Sequence, residues 1–308
     1  MSVFIQAVLV GIAIGGTYAL IGGSFALIYA TTRHFHLAHA ATFEIVGFGA
    51  YALWARAGLP LLLAMVIALL FGCVTAIAYP VVLYPPIQRR SRGLFGIFVV
   101  GLGLYIAVDN ALTWWLGSAP LTAPVGGGLL NAVSTTGVLT ISWIQVIFLG
   151  LALLWLAGVL CYLRFSGMGL LTRAYSRNGE LIRVLGYRPN TITASVYVLG
   201  SLGIGIAAFY TLVGAGLVPE VGENTLLYGF RAAFVTRKVG VTTAFGAGMV
   251  IGIGENIAST YVGGDWPTAI IVGAFSLVLL GRSINWRATT VRLTKWTRRT
   301  GPVLAERA

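Results

Sequence analysis

What most limits the folds open to this chain is a series of apolar runs, each about 20 residues long, that fill most of its 308 residues. A helix crosses the hydrocarbon layer of a bilayer with about 20 apolar residues. It does so because, in lipid, every backbone amide must find its partner inside the helix. Runs over residues 3–31, 37–54, 60–84, 94–115, 143–163, 191–217, 240–262 and 267–280 therefore predict eight spans. A ninth segment, 224–239, is short and polar for a crossing and reads as a tilted or broken helix. Whether it crosses fully is left open. Only 9% of residues are charged, against roughly 25% in globular domains, so a soluble fold is excluded. The expectation is one all-α polytopic membrane domain over 1–308 with about eight or nine transmembrane helices.

The charges give that domain a direction. Of 20 lysines and arginines, eighteen fall in alternate connections: Arg33; Arg89, Arg90 and Arg92; five arginines of a loop at 164–190; Arg237 and Lys238; and a tail at 282–308. Arg56 alone lies at the opposite boundary, and Arg231 lies within a segment. Basic residues collect on the cytoplasmic side of membrane proteins, so the N-terminus is expected outside and the basic tail inside. Trp286 and Trp296 flank the tail's cations in the manner of interfacial anchors. The uncharged stretch 116–142, rich in Gly, Thr and Pro, is expected as an external hairpin or loop. No basic residue precedes 3–31, which reads as an uncleaved span rather than a secretory signal. The net charge of +12 belongs to these loops, so lipid and not nucleic acid is its partner.

The loop 164–190 is the long polar interruption. Between Gly169 and Gly186 it reads as a short amphipathic helix, with Leu170, Leu171, Ala174, Leu181 and Leu185 near one face. Gly186 is a natural helix stop, and Pro189 forbids continuation. Such a helix lies on headgroups or docks into a groove of another protein.

Elsewhere the motif search excludes more than it finds. Gly203, Gly205 and Ala208 spell G-x-G-x-x-A, but inside an apolar span with no strand before it. That is helix packing, not a dinucleotide site. No Walker A sequence occurs, and the chain's lysines are Lys238 and Lys295. His34, His36 and His39 do not share a helix face, and Cys73 and Cys161 sit in apolar spans, so neither set predicts a metal site or a cofactor. No nucleophile, metal set or paired acid stands out, so the chain is expected not to be an enzyme.

At Gly169–Tyr187 the order G-L-L-x-R-A-x-x-x-N-x-x-L-x-x-x-L-G-Y resembles the cytoplasmic coupling loop of ATP-binding-cassette (ABC) importer permeases, in the LivH-type version for branched-chain amino acids and related amides. The matching positions are Gly169, Arg173, Ala174, Asn178, Leu185 and Gly186. A carboxylate common after the alanine is replaced here, with Ser176 and Arg177 in that region. G-T-Y-A-L at Gly16–Leu20, the stretch containing His39 (with Ala40 in place of a glycine), V-x-x-Y-P-P at Val81–Pro86 and the glycine-rich approach to Glu255 extend the resemblance. It implies a permease subunit of an importer, paired with a second homologous permease subunit. Cytoplasmic ATPase subunits would receive the loop, and an external solute-binding protein would deliver the solute. Branched-chain amino acids come first as solute, with urea and short amides open. An ion-coupled secondary transporter and a polytopic membrane enzyme are the competing readings.

Ionisable residues inside spans are costly and call for explanation. Glu44, Asp109, Arg231 and Glu255, together with His39, are the solute-pathway candidates. For the carboxylates, packing by pairing with a basic group or helix end is the competing role. Arg231 either snorkels to anchor its helix or faces the bundle and holds a solute carboxylate or carbonyl.

Overall fold

The computed structural model describes residues 2–90, 94–123, 133–136, 139–218, 221–236, 238–263 and 266–283. The basic tail beyond Ser283 and the cations Arg92 and Arg237 lie outside the described residues. Twelve α-helices follow in order: α1 (Ser2–Thr32), α2 (Ala38–Ala55), α3 (Leu61–Ala78), α4 (Tyr84–Arg90), α5 (Leu94–Leu116), α6 (Trp143–Phe165), α7 (Gly167–Arg177), α8 (Gly179–Val184), α9 (Pro189–Gly214), α10 (Val221–Phe234), α11 (Val241–Tyr261) and α12 (Trp266–Ser283). A two-stranded antiparallel hairpin, β1 (Val133–Thr136) with β2 (Leu139–Ser142), lies between α5 and α6, with Val133 opposite Ser142. The fold is all-α, as the apolar runs require.

Among the described residues, six helical segments are long and apolar enough to cross a membrane, among them Leu61–Gln88, which joins α3 to α4. Its middle holds a π turn at Tyr79–Leu83. Pro80 explains it: the ring carries no amide and clashes with the carbonyl four residues back, so the ladder resets with a wider turn. The sequence leads one to expect a stop at Pro85-Pro86, yet the helix continues to Arg90. Both prolines fall in the first turn of α4, where a missing amide costs nothing. Helix α2 is less apolar because of His39 and Glu44, but most of it is buried among its neighbours and shielded from lipid. Helix α12 is apolar over Trp266–Gly281. Helix α10, at 14 residues, rises only about 21 Å. It starts three residues earlier and ends five earlier than the polarity of 224–239 suggests.

Helix α1 is the hub, and small residues let its neighbours close on it. Gly15 faces Met249 and Gly252 of α11, Gly22 faces Ala232 of α10 and Ala244 of α11, and Gly248 faces Ala19. Trp155 of α6 reaches in against Gly23 and Gly203 and donates its indole N–H to the Leu199 carbonyl at 2.8 Å. The outer faces are apolar and exposed, with Leu62 of α3 at 72% and Phe95 of α5 at 75%. In water such faces would aggregate; in lipid they meet no penalty.

Candidate functional site

Between α6 and α9, at the end of the bundle opposite the hairpin, the arginine-rich loop forms two helices rather than one. Ser166 caps α7 by accepting the Gly169 amide at 2.8 Å. Gly169 lies so close to the Tyr162 carbonyl that any side chain would collide with it. Asn178 breaks the run: its backbone is extended, and its side chain accepts the Leu181 amide at 3.0 Å to start α8. Gly186 ends α8 at φ +83. Its amide donates to the Arg183 carbonyl, and that of Tyr187 donates to Ile182, the paired bonds of a Schellman stop. The Tyr162 hydroxyl bonds Thr172 at 3.1 Å and Ser195 at 2.7 Å, tying α7 to α6 and α9.

Three of the six motif positions therefore act on shape: Gly169 docks, Asn178 caps and Gly186 stops. Arg173 and Leu185 are exposed and Ala174 is half-buried. Around them Leu170, Leu181, Val184, Leu185 and Tyr187 present an apolar surface, with Val184 83% exposed. Arg173, Arg177, Arg183 and Arg188 frame it with exposed positive charge. A rigid, apolar, cation-rimmed knob on two short helices suits insertion into a cleft of another protein.

The three histidines do not converge on a common ligand. His36, in the connection from α1 to α2, shares a hydrogen bond with the Tyr84 hydroxyl at 2.6 Å and packs on Tyr197 and Tyr79. Burial pushes its pKa well below the ordinary imidazole range. His39 shares a 2.8 Å hydrogen bond with Ser24. His39 thus joins α2 to α1 inside the core.

Glu44 and Asp109, 65 positions apart in sequence, come together between α2 and α5. Glu44 is fully buried, and neither oxygen has a hydrogen-bond partner among the described residues. The Asp109 carboxyl and the amide of Gly222 face it, short of bonding geometry, and Tyr105 packs alongside. Gly222 lies in the first turn of α10, so the carboxyl meets the positive end of a helix dipole. A side chain at Gly222 would collide with Glu44 Oε1 and the Tyr105 ring.

Arg231 and Glu255 gather around two tyrosines. Arg231 is 5% exposed, ten residues into α10, so its side chain faces the bundle. Its guanidinium lies over the Tyr228 ring, 5.0 Å from the centroid, and Nη1 has no hydrogen-bond partner among the described residues. Tyr228 stacks on Tyr18 of α1 with centroids 3.9 Å apart. Both tyrosines face Glu255, whose Oε1 accepts from Thr268 at 3.2 Å while Oε2 is buried without a hydrogen-bond partner among the described residues. Glu223, the acid of the first turn of α10, is exposed. Sequence reasoning missed Tyr18, Tyr228 and Tyr105; Tyr228 and Tyr105 stand one helical turn from Arg231 and Asp109, a signal that would have found them, whereas Tyr18 has no charge so near in sequence.

No family model matches the sequence. Among curated proteins, the chain is 24% identical over 290 residues to the high-affinity branched-chain amino acid transport system permease protein BraD of Pseudomonas aeruginosa, covering 91% of this chain and 94% of BraD. It is 23% identical over 302 residues to LivH of Escherichia coli, a permease protein of the corresponding system, covering 90% and 93%. A solved structure, PsaBC from Streptococcus pneumoniae in complex with Fab, superposes with a TM-score of 0.49 at 16% identity, covering 90% of each chain. Along nine-tenths of its length, the chain is thus a distant relative of the LivH-type permease subunits that its motifs resemble.

Proposed function

We propose that this chain is a membrane permease subunit of an ABC importer and that its solute is a branched-chain amino acid. The observation that carries the reading is the knob formed by α7 and α8. Its motif matches the coupling loop of LivH-type permeases, and among the described residues nothing covers its apolar outer face. Similarity to BraD and LivH along nearly the whole chain supports the same reading. The chain has no Walker A sequence of its own. ATP is then hydrolysed by separate cytoplasmic subunits, which grip α7 and α8. Their closure rocks this chain against a second, homologous permease subunit. Solute arrives from an external binding protein and passes between the two permeases. The complex sits in the bacterial inner membrane with the α7–α8 end inward and the hairpin outward.

The test is co-purification. When expressed with candidate permease and ATPase subunits, the tagged chain is expected to retain a Walker A subunit through detergent extraction. Recovery of the chain alone, at normal abundance and with every partner expressed, contradicts the reading.

The orientation has its own test. With Cys73 and Cys161 replaced by alanine, Ser134→Cys is expected to react with a membrane-impermeant maleimide in intact cells. Glu180→Cys, exposed at the start of α8, is expected to react only after the cells are opened. The reverse pattern would invert the topology.

A further inference from the structure

Helices α3 and α5 both pack on α2 and leave a groove of about 510 Å³ open between them. Gly49, Ala52 and Arg56 line it at i, i+3 and i+7, along one face of α2 and its C-cap. Ile67 and Phe71 of α3 form a wall, and Trp115 of α5 stands at the Arg56 end. The floor is low because Gly49 has no side chain, and a Cβ there would meet open space. From Ile45, the far lining residue on α2, to Arg56 the helix rises about 16 Å. One leaflet of a hydrocarbon core about 30 Å thick is about 15 Å deep, so the groove runs the depth of one leaflet. The charged residue lining it is Arg56, the lone cation that the charge pattern puts at this boundary. Its Cζ lies 5.1 Å from the centre of the Trp115 ring, and Nη2 donates to the Trp115 carbonyl at 3.2 Å. Those contacts hold an exposed guanidinium at the mouth of the groove, and among the described residues no carboxylate bonds it.

We propose that this groove binds one anionic phospholipid of the leaflet opposite the α7–α8 knob. An acyl chain lies along α2 over Gly49, and the Arg56 fork takes the headgroup phosphate, for which its planar donors are the matching shape. Trp115 then sits at headgroup depth, where tryptophans collect. An ethanolamine headgroup would bring an ammonium beside the guanidinium with no carboxylate to receive it. A headgroup of net negative charge, such as that of phosphatidylglycerol, is therefore preferred. A helix from a second subunit is too large for the groove, since 16 Å of helix 10 Å across displaces roughly 1,300 Å³. The simpler role for Arg56 is to tie the end of α2 to α5 through Trp115. That role needs neither the groove nor a choice among headgroups. The site is independent of which solute the chain moves.

The experiment uses the full chain, extracted in a mild detergent and washed of bound lipid. It is titrated separately with dioleoyl phosphatidylglycerol and dioleoyl phosphatidylethanolamine, and native mass spectrometry counts the lipids retained. Wild type is expected to hold one phosphatidylglycerol at least about tenfold more tightly than phosphatidylethanolamine, the worth of one charge-assisted contact. Arg56→Gln should abolish that preference, and Arg56→Lys, which keeps the charge without the fork, should restore part of it. Gly49→Leu fills the groove and should weaken the first lipid of either headgroup at least about tenfold. Its thermal unfolding should match wild type, because the new side chain meets open space and leucine favours a helix over glycine. Equal binding of the two lipids by wild type overturns the proposal, and so does a preference that survives in Arg56→Gln. A first lipid held as tightly by Gly49→Leu as by wild type removes the groove from the site. If Gly49→Leu instead loosens a pair of permease chains while lipid binding stays, a partner subunit fills the groove and the proposal fails. Should Gly49→Leu be recovered poorly, the comparison of headgroups in Arg56→Gln decides alone.

Discussion

Gly186→Pro is expected to reduce leucine uptake at least about tenfold while the protein still inserts and assembles at near-normal yield. Gly186 holds φ at +83 and its amide bonds the Arg183 carbonyl. Proline fixes φ near −65° and has no amide, so it fails on both counts, at about 3 kcal/mol by analogy with a helix interior. That cost falls on α8 and not on the bundle, because α8 is six residues long and buries Ile182 alone among its side chains. The helix unwinds where the ATPase grips it. ATP hydrolysis then continues without transport, or the ATPase detaches. Arg173→Glu acts on the same surface by reversing an exposed charge and is expected to weaken ATPase retention without disturbing α7. Uptake and ATPase retention, measured side by side in both variants, check the prediction. Normal values for both would remove this knob from the coupling mechanism.

The second large effect is on folding. Gly252→Val is expected to abolish recovery of folded protein, whereas Gly158→Val is expected to be silent. A Cβ at Gly252 would run into the Gly15 backbone of α1, and neither backbone can yield without separating α1 from α11. Overpacking of that kind costs about 3 kcal/mol or more, a large share of the 5–15 kcal/mol that holds a typical protein together. Gly158, on α6, has open space in the same position. Thermal unfolding of the detergent-solubilised variants, followed by size-exclusion chromatography, separates the two. A Gly252→Val protein that melts like wild type would show that α1 and α11 are not this closely packed.

That contrast also marks how far the sequence can be read. Apolar length sets where helices lie, because lipid forbids unpaired backbone. So the spans at 3–31, 94–115 and 143–163 fall within two residues of α1, α5 and α6. Gly252 and Gly158 look alike in a string, since what separates them is a neighbour more than a hundred residues away. The same holds for Glu44 and Asp109, each visible as an intramembrane acid but brought together only by packing of α2 on α5. Local chemistry was partly legible: Gly186 as a stop follows from glycine's freedom at positive φ. Asn178 as a break did not, because an asparagine caps a helix only where its own backbone leaves the helical region. The π turn at Pro80 was hidden for a related reason. A proline within an apolar run signals disturbance but not whether the helix stops or resets. Tyr18 and Tyr228 went unnoticed because a lone tyrosine in a span reads as filler until its partner across the interface is known.

The most direct measurement of the central claim is energised uptake. The complete complex, with binding protein outside, is sealed into liposomes whose ATPase side faces a lumen loaded with ATP. Leucine is expected to accumulate only when ATP is inside, at the same rate with and without ionophores that collapse proton and sodium gradients, and not at all when α7 and α8 cannot hold an ATPase. Accumulation by this chain alone, without ATP and driven by an imposed ion gradient, would contradict the account.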